Sequence, residues 1–284
     1  MKKKSSKPFF DAKKIKKAVE ASLKGETKSV KTKKGKKEYV LTGVPGLDGL
    51  VEEGIPKGSS VLIAGGAGSG KTIMCLQILY NAAKKGEKCL YMSFEESRER
   101  LIQHMEDFGW NPRELEERGN LIIKQFNTFD IIRSVDALLA KARGELLIDV
   151  MPVILPENFK PDRIVVDSLT AIASAFTGKR ENYRSYIEQL FRFFEQIGAT
   201  SFMITETAQI PTQYSPTGVE EFLADGVIVL YNIRRGDVRE NALEVLKMRG
   251  AKHKKKIVAM QIVDGTGIVV YPEQQVFGDI EEEK

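Results

Sequence analysis

The sequence contains few cysteines and no long apolar run. Its two cysteines, Cys75 and Cys89, lie in short apolar stretches and lack the close spacing of a metal-binding cluster. We predict that both are reduced core residues of an intracellular protein, with a disulfide between them as the alternative. No apolar stretch approaches the roughly 18 residues of a membrane-spanning helix. The lysines at the N-terminus are not followed by a hydrophobic signal region, which favours a cytoplasmic protein.

Acidic residues are scarce in the first 38 positions. These positions hold fifteen lysines and four acidic residues, a net charge of +11, so the remaining 246 residues carry −6 of the chain's total of +5. An acidic body does not suit broad coating of a nucleic acid. We predict a flexible basic tail over residues 1–38 and a globular domain over residues 39–284. The tail is either a solubilising extension or an arm that binds nucleic acid, an anionic surface or a partner protein.

The stretch VLIAGGAGSGKTIMCL, at positions 61–76, predicts a phosphate-binding loop. Four apolar residues indicate a strand, a glycine-rich turn follows, and apolar residues then recur at helical spacing. Gly65, Gly70, Lys71 and Thr72 match the Walker A pattern between that strand and that helix. Lys71 is expected to reach the outer phosphates of a nucleotide and the Thr72 hydroxyl to ligate Mg²⁺. The residues predicted to bind the phosphates are Gly65, Gly66, Ala67, Gly68, Ser69, Gly70, Lys71 and Thr72.

Strands and helices alternate along the predicted domain, and a run of strands follows. The predicted strands are 61–64, 87–94, 121–126, 163–167, 200–205, 226–231, 242–247, 257–263 and 267–271. Besides the helix that follows the phosphate loop, the predicted helices are 97–108, 111–118, 130–147 and 183–197. Two Pro-containing breaks in residues 144–161 indicate a loop or lid. This order predicts an α/β fold with a mostly parallel twisted sheet, flanked by helices and extended by antiparallel strands at the C-terminal end. The sequence has no internal repeat.

Three carboxylates are expected beside the phosphate loop. Asp167 ends an apolar strand, and in P-loop enzymes a carboxylate at this position holds Mg²⁺ or a water bound to it. The alternative is that Asp167 is the N-cap of the next helix. Glu95 and Glu96 follow another strand. Because the carboxyl ends of parallel strands meet at one edge of a sheet, the pair should face Lys71 and Asp167. One carboxylate could polarise the attacking water, and for either one a helix cap is the alternative.

An ordered series of segments resembles a KaiC-type ATPase of the RecA superfamily. The segments are TGVPGLDGLVEEGIPKGSSVLIAGGAGSGKT, SFEES, VVDSLTAIA, GATSFMITET, GVEEFLADGVIVLY and LEVLKMRGAKH, which together run from about 41 to 272. The resemblance implies a RecA-like P-loop NTPase made of a single KaiC domain of the archaeal type. It also implies ATP hydrolysis with Mg²⁺ in a homo-oligomeric ring, a hexamer, with the nucleotide at the subunit interface.

The resemblance assigns roles to matching positions. Glu95 and Glu96 correspond to paired catalytic glutamates. The residues that match a segment contacting the nucleotide of the neighbouring subunit are Lys247, Met248, Arg249, Ala251 and His253. Arg249 and Lys247 would stabilise γ-phosphate charge in trans, and solvated charges at a strand end are the alternative. The positions that match adenosine contacts are Asp107, Phe108 and Asp264, of which Phe108 could instead be a core anchor.

The sequence also departs from the family pattern. The serine–threonine phosphoacceptor pair of the clock protein falls at Glu221 and Phe222, which carry no hydroxyl group, so autophosphorylation of the clock type is not expected there. Three alternatives to an ATPase ring stay open. They are a serine/threonine kinase that uses another hydroxyl in residues 200–217, a nucleotide-switched assembly or signalling scaffold with little turnover, and a DNA-dependent recombinase-like ATPase.

Overall fold

A mixed β-sheet forms the centre of the domain in the computed structural model, which describes residues 37–129, 131, 155–156, 158–176, 178, 180–235 and 237–275. The strands are β1 (Tyr39–Val40), β2 (Ile55–Pro56), β3 (Ser60–Gly65), β4 (Cys89–Ser93), β5 (Leu121–Gln125), β6 (Arg163–Asp167), β7 (Thr200–Glu206), β8 (Gly226–Arg235), β9 (Val238–Met248), β10 (Val258–Val263) and β11 (Gly267–Gln275). The helices are α1 (Lys71–Lys84), α2 (Arg98–Asp107), α3 (Pro112–Glu117), α4 (Leu169–Ala175), α5 (Arg180–Ile197) and α6 (Val219–Leu223), with a 3₁₀ turn at Asp48–Leu50.

Among the described residues, nine strands join in the order β11-β10-β9-β8-β3-β7-β6-β4-β5, and β1 pairs separately with β2. The run from β8 through β3, β7, β6 and β4 to β5 is parallel. The strands β8 to β11 pair antiparallel. The predicted α/β fold, with a mostly parallel sheet and an antiparallel C-terminal extension, is therefore confirmed. Because β3, β4, β6 and β7 share one direction, their carboxyl ends lie along one edge of the sheet.

Both faces of the parallel strands are covered by apolar side chains. All residues of β3, β4 and β6 are buried, as expected for strands with helices on both sides. Ile63 packs into a core cluster with Ile78 of α1, whereas its neighbour Leu62 packs into a second cluster with Leu190 of α5. Adjacent strand residues point to opposite faces, so β3 is held between the two cores and its C-terminal end is rigidly placed.

The two cysteines are free thiols buried in the core. Burial raises the pKa of both the Cys75 and the Cys89 thiol. The prediction of reduced core residues is confirmed for the structure, and the disulfide alternative is wrong.

Several elements differ from the sequence prediction. The strands predicted at 226–231 and 242–247 are longer, and β8 and β9 form one extended hairpin. Helix α5 begins at residue 180 rather than 183. The short elements β1, β2 and α6 were not predicted, because two to five residues carry too little periodicity to be recognised.

Some predictions fall on residues that the structure does not describe. Nearly all of the predicted helix over 130–147 and the greater part of the loop or lid over 144–161 lie outside the described residues. The same holds for the basic tail up to residue 36. Within the described residues, no helix combines the length and the apolar composition that crossing a bilayer requires.

Candidate nucleotide-binding site

The predicted phosphate loop joins the end of β3 to the start of α1. Gly70 is the N-cap of α1 and has a φ of +93°, a left-handed conformation that favours glycine. Lys71 is nearly buried, and its Nζ donates to the Gly66 carbonyl oxygen at 3.0 Å. Burial lowers the pKa of Lys71, while nearby carboxylates oppose that shift. The Ser69 hydroxyl is fully buried and has no hydrogen-bond partner among the described residues. The loop therefore presents a helix N-terminus, a lysine and an unpaired hydroxyl in one place, a set that suits a phosphate.

Asp167, the last residue of β6, reaches the start of α1. Its Oδ2 atom accepts hydrogen bonds from Thr72 Oγ1 at 3.2 Å and from the Tyr91 hydroxyl at 2.5 Å. Burial raises the pKa of Asp167 to about 6, an effect that the Tyr91 hydrogen bond opposes and the charge of Glu95 reinforces. The Tyr91 pKa is itself raised well above its ordinary value by burial.

Glu95 and Glu96 point to different partners. Glu95 Oε1 accepts a hydrogen bond from the Ser168 hydroxyl, beside the end of β6. Glu96 Oε2 lies 3.0 Å from His104 Nε2 and 3.3 Å from Arg100 Nε, both on α2. Glu95 is therefore turned toward the magnesium-binding candidates, whereas Glu96 is held by cationic or hydrogen-bonding groups of the helix that follows.

Serines, not carboxylates, cap the neighbouring helices. The Ser168 hydroxyl accepts from the N–H of Ala171 at 3.1 Å at the start of α4. The Ser97 hydroxyl accepts from the N–H of Arg100 at 3.4 Å at the start of α2. The cap alternatives considered for Asp167 and for the two glutamates are therefore wrong.

A cavity of about 390 Å³ lies over this edge of the sheet. The predicted residues that line it are Ala67, Gly68, Gly70, Lys71, Thr72, Glu95, Glu96, Asp107, Phe108 and Asp167. Phe108 also stacks on Trp110, with ring centroids 5.2 Å apart, so it contributes to both the core and the pocket. The structure thus brings together the phosphate loop, four of the predicted carboxylates and an aromatic side chain.

His104 and Glu206 line the same cavity and were missed by the sequence prediction. His104 lies three and four residues before Asp107 and Phe108 on α2, so helical spacing places the three on one face. Glu206 ends β7 as Asp167 ends β6. The rule that carboxyl ends of parallel strands meet at one edge could have identified it.

The KMRGAKH residues do not line this cavity. Lys247 and Arg249 flank Met248, whose side chain is buried in the core, and neither cation lines the cavity. Lys247 Nζ donates to the carbonyl oxygens of Glu221 at 2.9 Å and Ala224 at 2.6 Å. Burial, followed by the charge of Arg249, lowers the pKa of Lys247.

The remaining predicted residues lie around the same segment or at a hairpin turn. Arg249 is about half exposed, and its Nη2 donates to the Phe222 carbonyl oxygen at 2.8 Å. His253 forms an isolated antiparallel bridge with Val51, and its Nε2 atom is buried without a hydrogen-bond partner among the described residues. Asp264 is exposed at the turn between β10 and β11 and does not line the cavity. Ala251 is half-buried beside the apolar core.

The residues beside the phosphate loop fit a magnesium ion. Thr72 and Asp167 offer a hydroxyl and a carboxylate oxygen, the hard ligands that Mg²⁺ prefers. Within the described residues, no group of three or more His, Cys, Asp and Glu side chains could hold a metal ion by itself. This agrees with the way Mg²⁺ binds in phosphate sites, through one or two protein ligands together with phosphate and water oxygens.

Comparisons with known proteins point to one family. The family model described as "ATPase: KaiC" matches residues 40–275. A circadian clock protein KaiC3 of Synechocystis is 32% identical over 242 residues, which cover 83% of this chain and 46% of that protein. The chain thus spans just under half the length of this clock relative.

Two relatives are matched over nearly their whole length. A UPF0273 protein of Thermotoga maritima is 32% identical over 245 residues, 83% of this chain and 96% of that protein. The crystal structure of a KaiC-like protein from Pyrococcus horikoshii superposes with a TM-score of 0.68 at 30% identity, over 84% of this chain and all of that chain. The matched region therefore has the length of one such domain.

Proposed function

This chain belongs to the KaiC family of ATPases, and on that premise we propose that it hydrolyses Mg·ATP as a hexameric RecA-like ring with the nucleotide at the subunit interface. One observation carries the proposal. A single cavity contains the phosphate loop, Lys71, the pair Thr72 and Asp167, and the two glutamates, whereas Lys247 and Arg249 lie outside it. Such a pocket holds everything for phosphoryl transfer to water except an arginine.

The nucleotide would bind with its phosphates in the loop before α1. The N-terminus of this helix supplies positive potential, and Lys71 is positioned to leave the Gly66 carbonyl oxygen for the outer phosphates. Thr72 and Asp167 would hold Mg²⁺, which neutralises charge that develops on the phosphate oxygens. Phe108, at the other side of the cavity, offers an apolar surface for the adenine ring.

The carboxylates would act on the attacking water. Glu95 lies next to the end of β6 and accepts only a serine hydroxyl in the described contacts, so it can accept the proton of a water in line with the γ-phosphate. Glu96 is paired with His104, and this contact holds the Glu96 carboxylate at the edge of the cavity. The products are ADP and inorganic phosphate.

An arginine from a neighbouring subunit would complete the site. No arginine lines the described cavity. Arg249 is partly exposed at the end of β9, and its orientation is set by the carbonyl of Phe222. In related phosphoryl transfers an arginine supplied in trans accelerates turnover by ~10³–10⁵. In the proposed ring, the Arg249 edge of one subunit would lie over the cavity of the next.

Mixing of inactive subunits tests the proposal. Arg249→Ala should lose most ATP hydrolysis while it still binds Mg·ATP, and Lys71→Ala should lose binding while it keeps a good arginine. Mixed rings of the two should regain part of the activity, because some interfaces pair an intact loop with an intact arginine. Arg184→Ala, which removes an exposed arginine on α5, is the matched control and should hydrolyse normally.

The same assay separates the alternatives. Full activity of Arg249→Ala, or a mixture that stays inactive after verified co-assembly, would refute the arginine in trans. A protein that binds ATP but releases no phosphate would be a nucleotide-switched scaffold. Release that requires single-stranded DNA would indicate a recombinase-like enzyme, and label from γ-phosphate on the protein would indicate a kinase.

A further inference from the structure

Gly66 is a glycine that the Walker A pattern does not require. Its φ is not in the left-handed region, so backbone freedom does not explain it. Space does. A Cβ atom at this position would lie 2.8 Å from Oε1 and 3.2 Å from Cα of Gln209. The phosphate loop is therefore packed against the segment that follows β7, and a larger residue at position 66 would displace the Gln209 side chain.

Two side-chain amides hold successive carbonyl groups of the loop. Gln209 Nε2 donates to the Ala67 oxygen at 3.2 Å, and Asn232 Nδ2, from β8, donates to the Gly68 oxygen at 3.3 Å. The Asn232 amide is oriented in turn, because Arg239 Nη1 lies 3.3 Å from Asn232 Oδ1. With its oxygen occupied by the arginine, the amide turns its N–H₂ group toward the loop.

Fixing these carbonyls also fixes the N–H groups that follow them. In a trans peptide the C=O of one residue and the N–H of the next point in opposite directions. Holding the oxygens of Ala67 and Gly68 outward therefore turns the N–H groups of Gly68 and Ser69 inward. The Ser69 N–H does point to the inner side of the loop, where it donates to the oxygen of Gly66 at 3.3 Å, the same oxygen that accepts from Lys71, so a bound phosphate would replace Gly66 as its acceptor.

We propose that Gln209 and Asn232 are positioning residues that brace the phosphate loop, so that the N–H groups of Gly68 and Ser69 lie on its inner side before binding, and the Ser69 N–H exchanges the Gly66 oxygen for a phosphate oxygen when the nucleotide binds. The inference rests on the proposed function, since it assumes a nucleotide in this loop. A preformed ring of N–H groups loses less conformational entropy on binding than a loop that must first be ordered. The brace therefore adds affinity for the phosphates and none for the nucleoside.

Calorimetric titration of the full-length protein with Mg·ADP and, separately, with adenosine tests the brace. The variants are Gln209→Met and Asn232→Leu, which keep the side-chain size and remove the donor without adding charge. A single net hydrogen bond is worth enough to change a dissociation constant by roughly three- to tenfold. Each variant should weaken the affinity for Mg·ADP by that factor and leave the affinity for adenosine unchanged. The control is Asn120→Leu, which removes an amide bond of 2.9 Å to the Gly86 carbonyl oxygen outside the cavity.

The outcomes are separable. Unchanged Mg·ADP affinity in both variants, or a parallel loss for Mg·ADP and adenosine, would overturn the brace while the proposed function stands. Wild-type protein that binds no Mg·ADP would overturn the proposed function and the brace with it. Gln209 is exposed, so its variant decides the question even if the half-buried Asn232 does not accept leucine.

Discussion

The Thr72 hydroxyl lies 3.2 Å from Oδ2 of Asp167, although 95 residues separate the two in sequence. Thr72 is the second residue of α1, which follows β3 through the phosphate loop, and Asp167 ends β6, with β7 between these two strands in the sheet. The start of α1 therefore reaches over one strand to the end of the next. This arrangement buries the carboxylate proposed to hold magnesium, at a cost in stability.

Asp167→Asn should stabilise the protein at neutral pH. Burial raises the pKa of Asp167 from its ordinary 3.8 to about 6, so the folded protein binds this proton more tightly than the unfolded chain does. The stability that this carboxyl contributes is therefore greatest below pH ~4 and is lost as pH rises through 6. The variant should exceed the wild type by about 2 to 3 kcal/mol at pH 8, with the difference shrinking toward pH 4.

Chemical denaturation at several pH values, with a chelator and without nucleotide, measures this difference. Asp264→Asn, which makes the same replacement at an exposed turn outside the cavity, is the matched control. A wild type more stable than Asp167→Asn at pH 8 would contradict the cost assigned to the buried charge.

Lys71→Ala should abolish tight binding of Mg·ATP and leave the fold intact. The lysine is nearly buried but is not part of the apolar core, and its amino group contacts only a loop carbonyl among the hydrogen bonds described. Calorimetry measures binding and circular dichroism checks the fold. Lys84→Ala, at the other end of the same helix, should bind normally. Undiminished affinity of Lys71→Ala would remove the basis for the nucleotide site.

Replacing Glu95 and Glu96 together by Gln should preserve binding and reduce phosphate release by ~10² or more, the usual effect of removing a positioned base. The single variants should differ. Glu95→Gln should account for most of the loss, because Glu95 lies beside the end of β6 whereas Glu96 is held by α2. Phosphate release at saturating ATP is the measurement. Equal rates for the double variant and the wild type would exclude a catalytic role for the pair.

Deleting residues 1–38 should leave ATP hydrolysis and the melting temperature nearly unchanged. Those residues carry a net charge of +11, so any binding of DNA or anionic vesicles by the full chain should fall by most of its strength in the deletion. Binding should also weaken steeply with salt, because counterion release drives it. Salt-insensitive binding, or binding kept by the truncated protein, would assign it to the body instead.

The phosphate loop was predictable because its functional residues are next to one another in the sequence. Glycines, a lysine and a threonine at fixed spacing, between an apolar strand and an amphipathic helix, specify the turn locally. Asp167 was predictable for a similar reason, since the end of a buried parallel strand meets the others at one edge. Glu206 ends β7 and follows the same rule, so the sequence contained the signal for it although it was not predicted.

Local sequence determined the strands, the helix starts and the residues that follow each strand, because periodicity and capping act over a few positions. Only the tertiary structure decided which distant groups meet. The pairing of Tyr91 with Asp167 and of His104 with Glu96 depends on the order of strands and on the rotation of α2. The same is true of Gln209 and Asn232 at the phosphate loop, because the sheet order β8-β3-β7 brings both next to β3. No periodic pattern in the sequence specifies the order of the strands, so these contacts could not be predicted from the sequence.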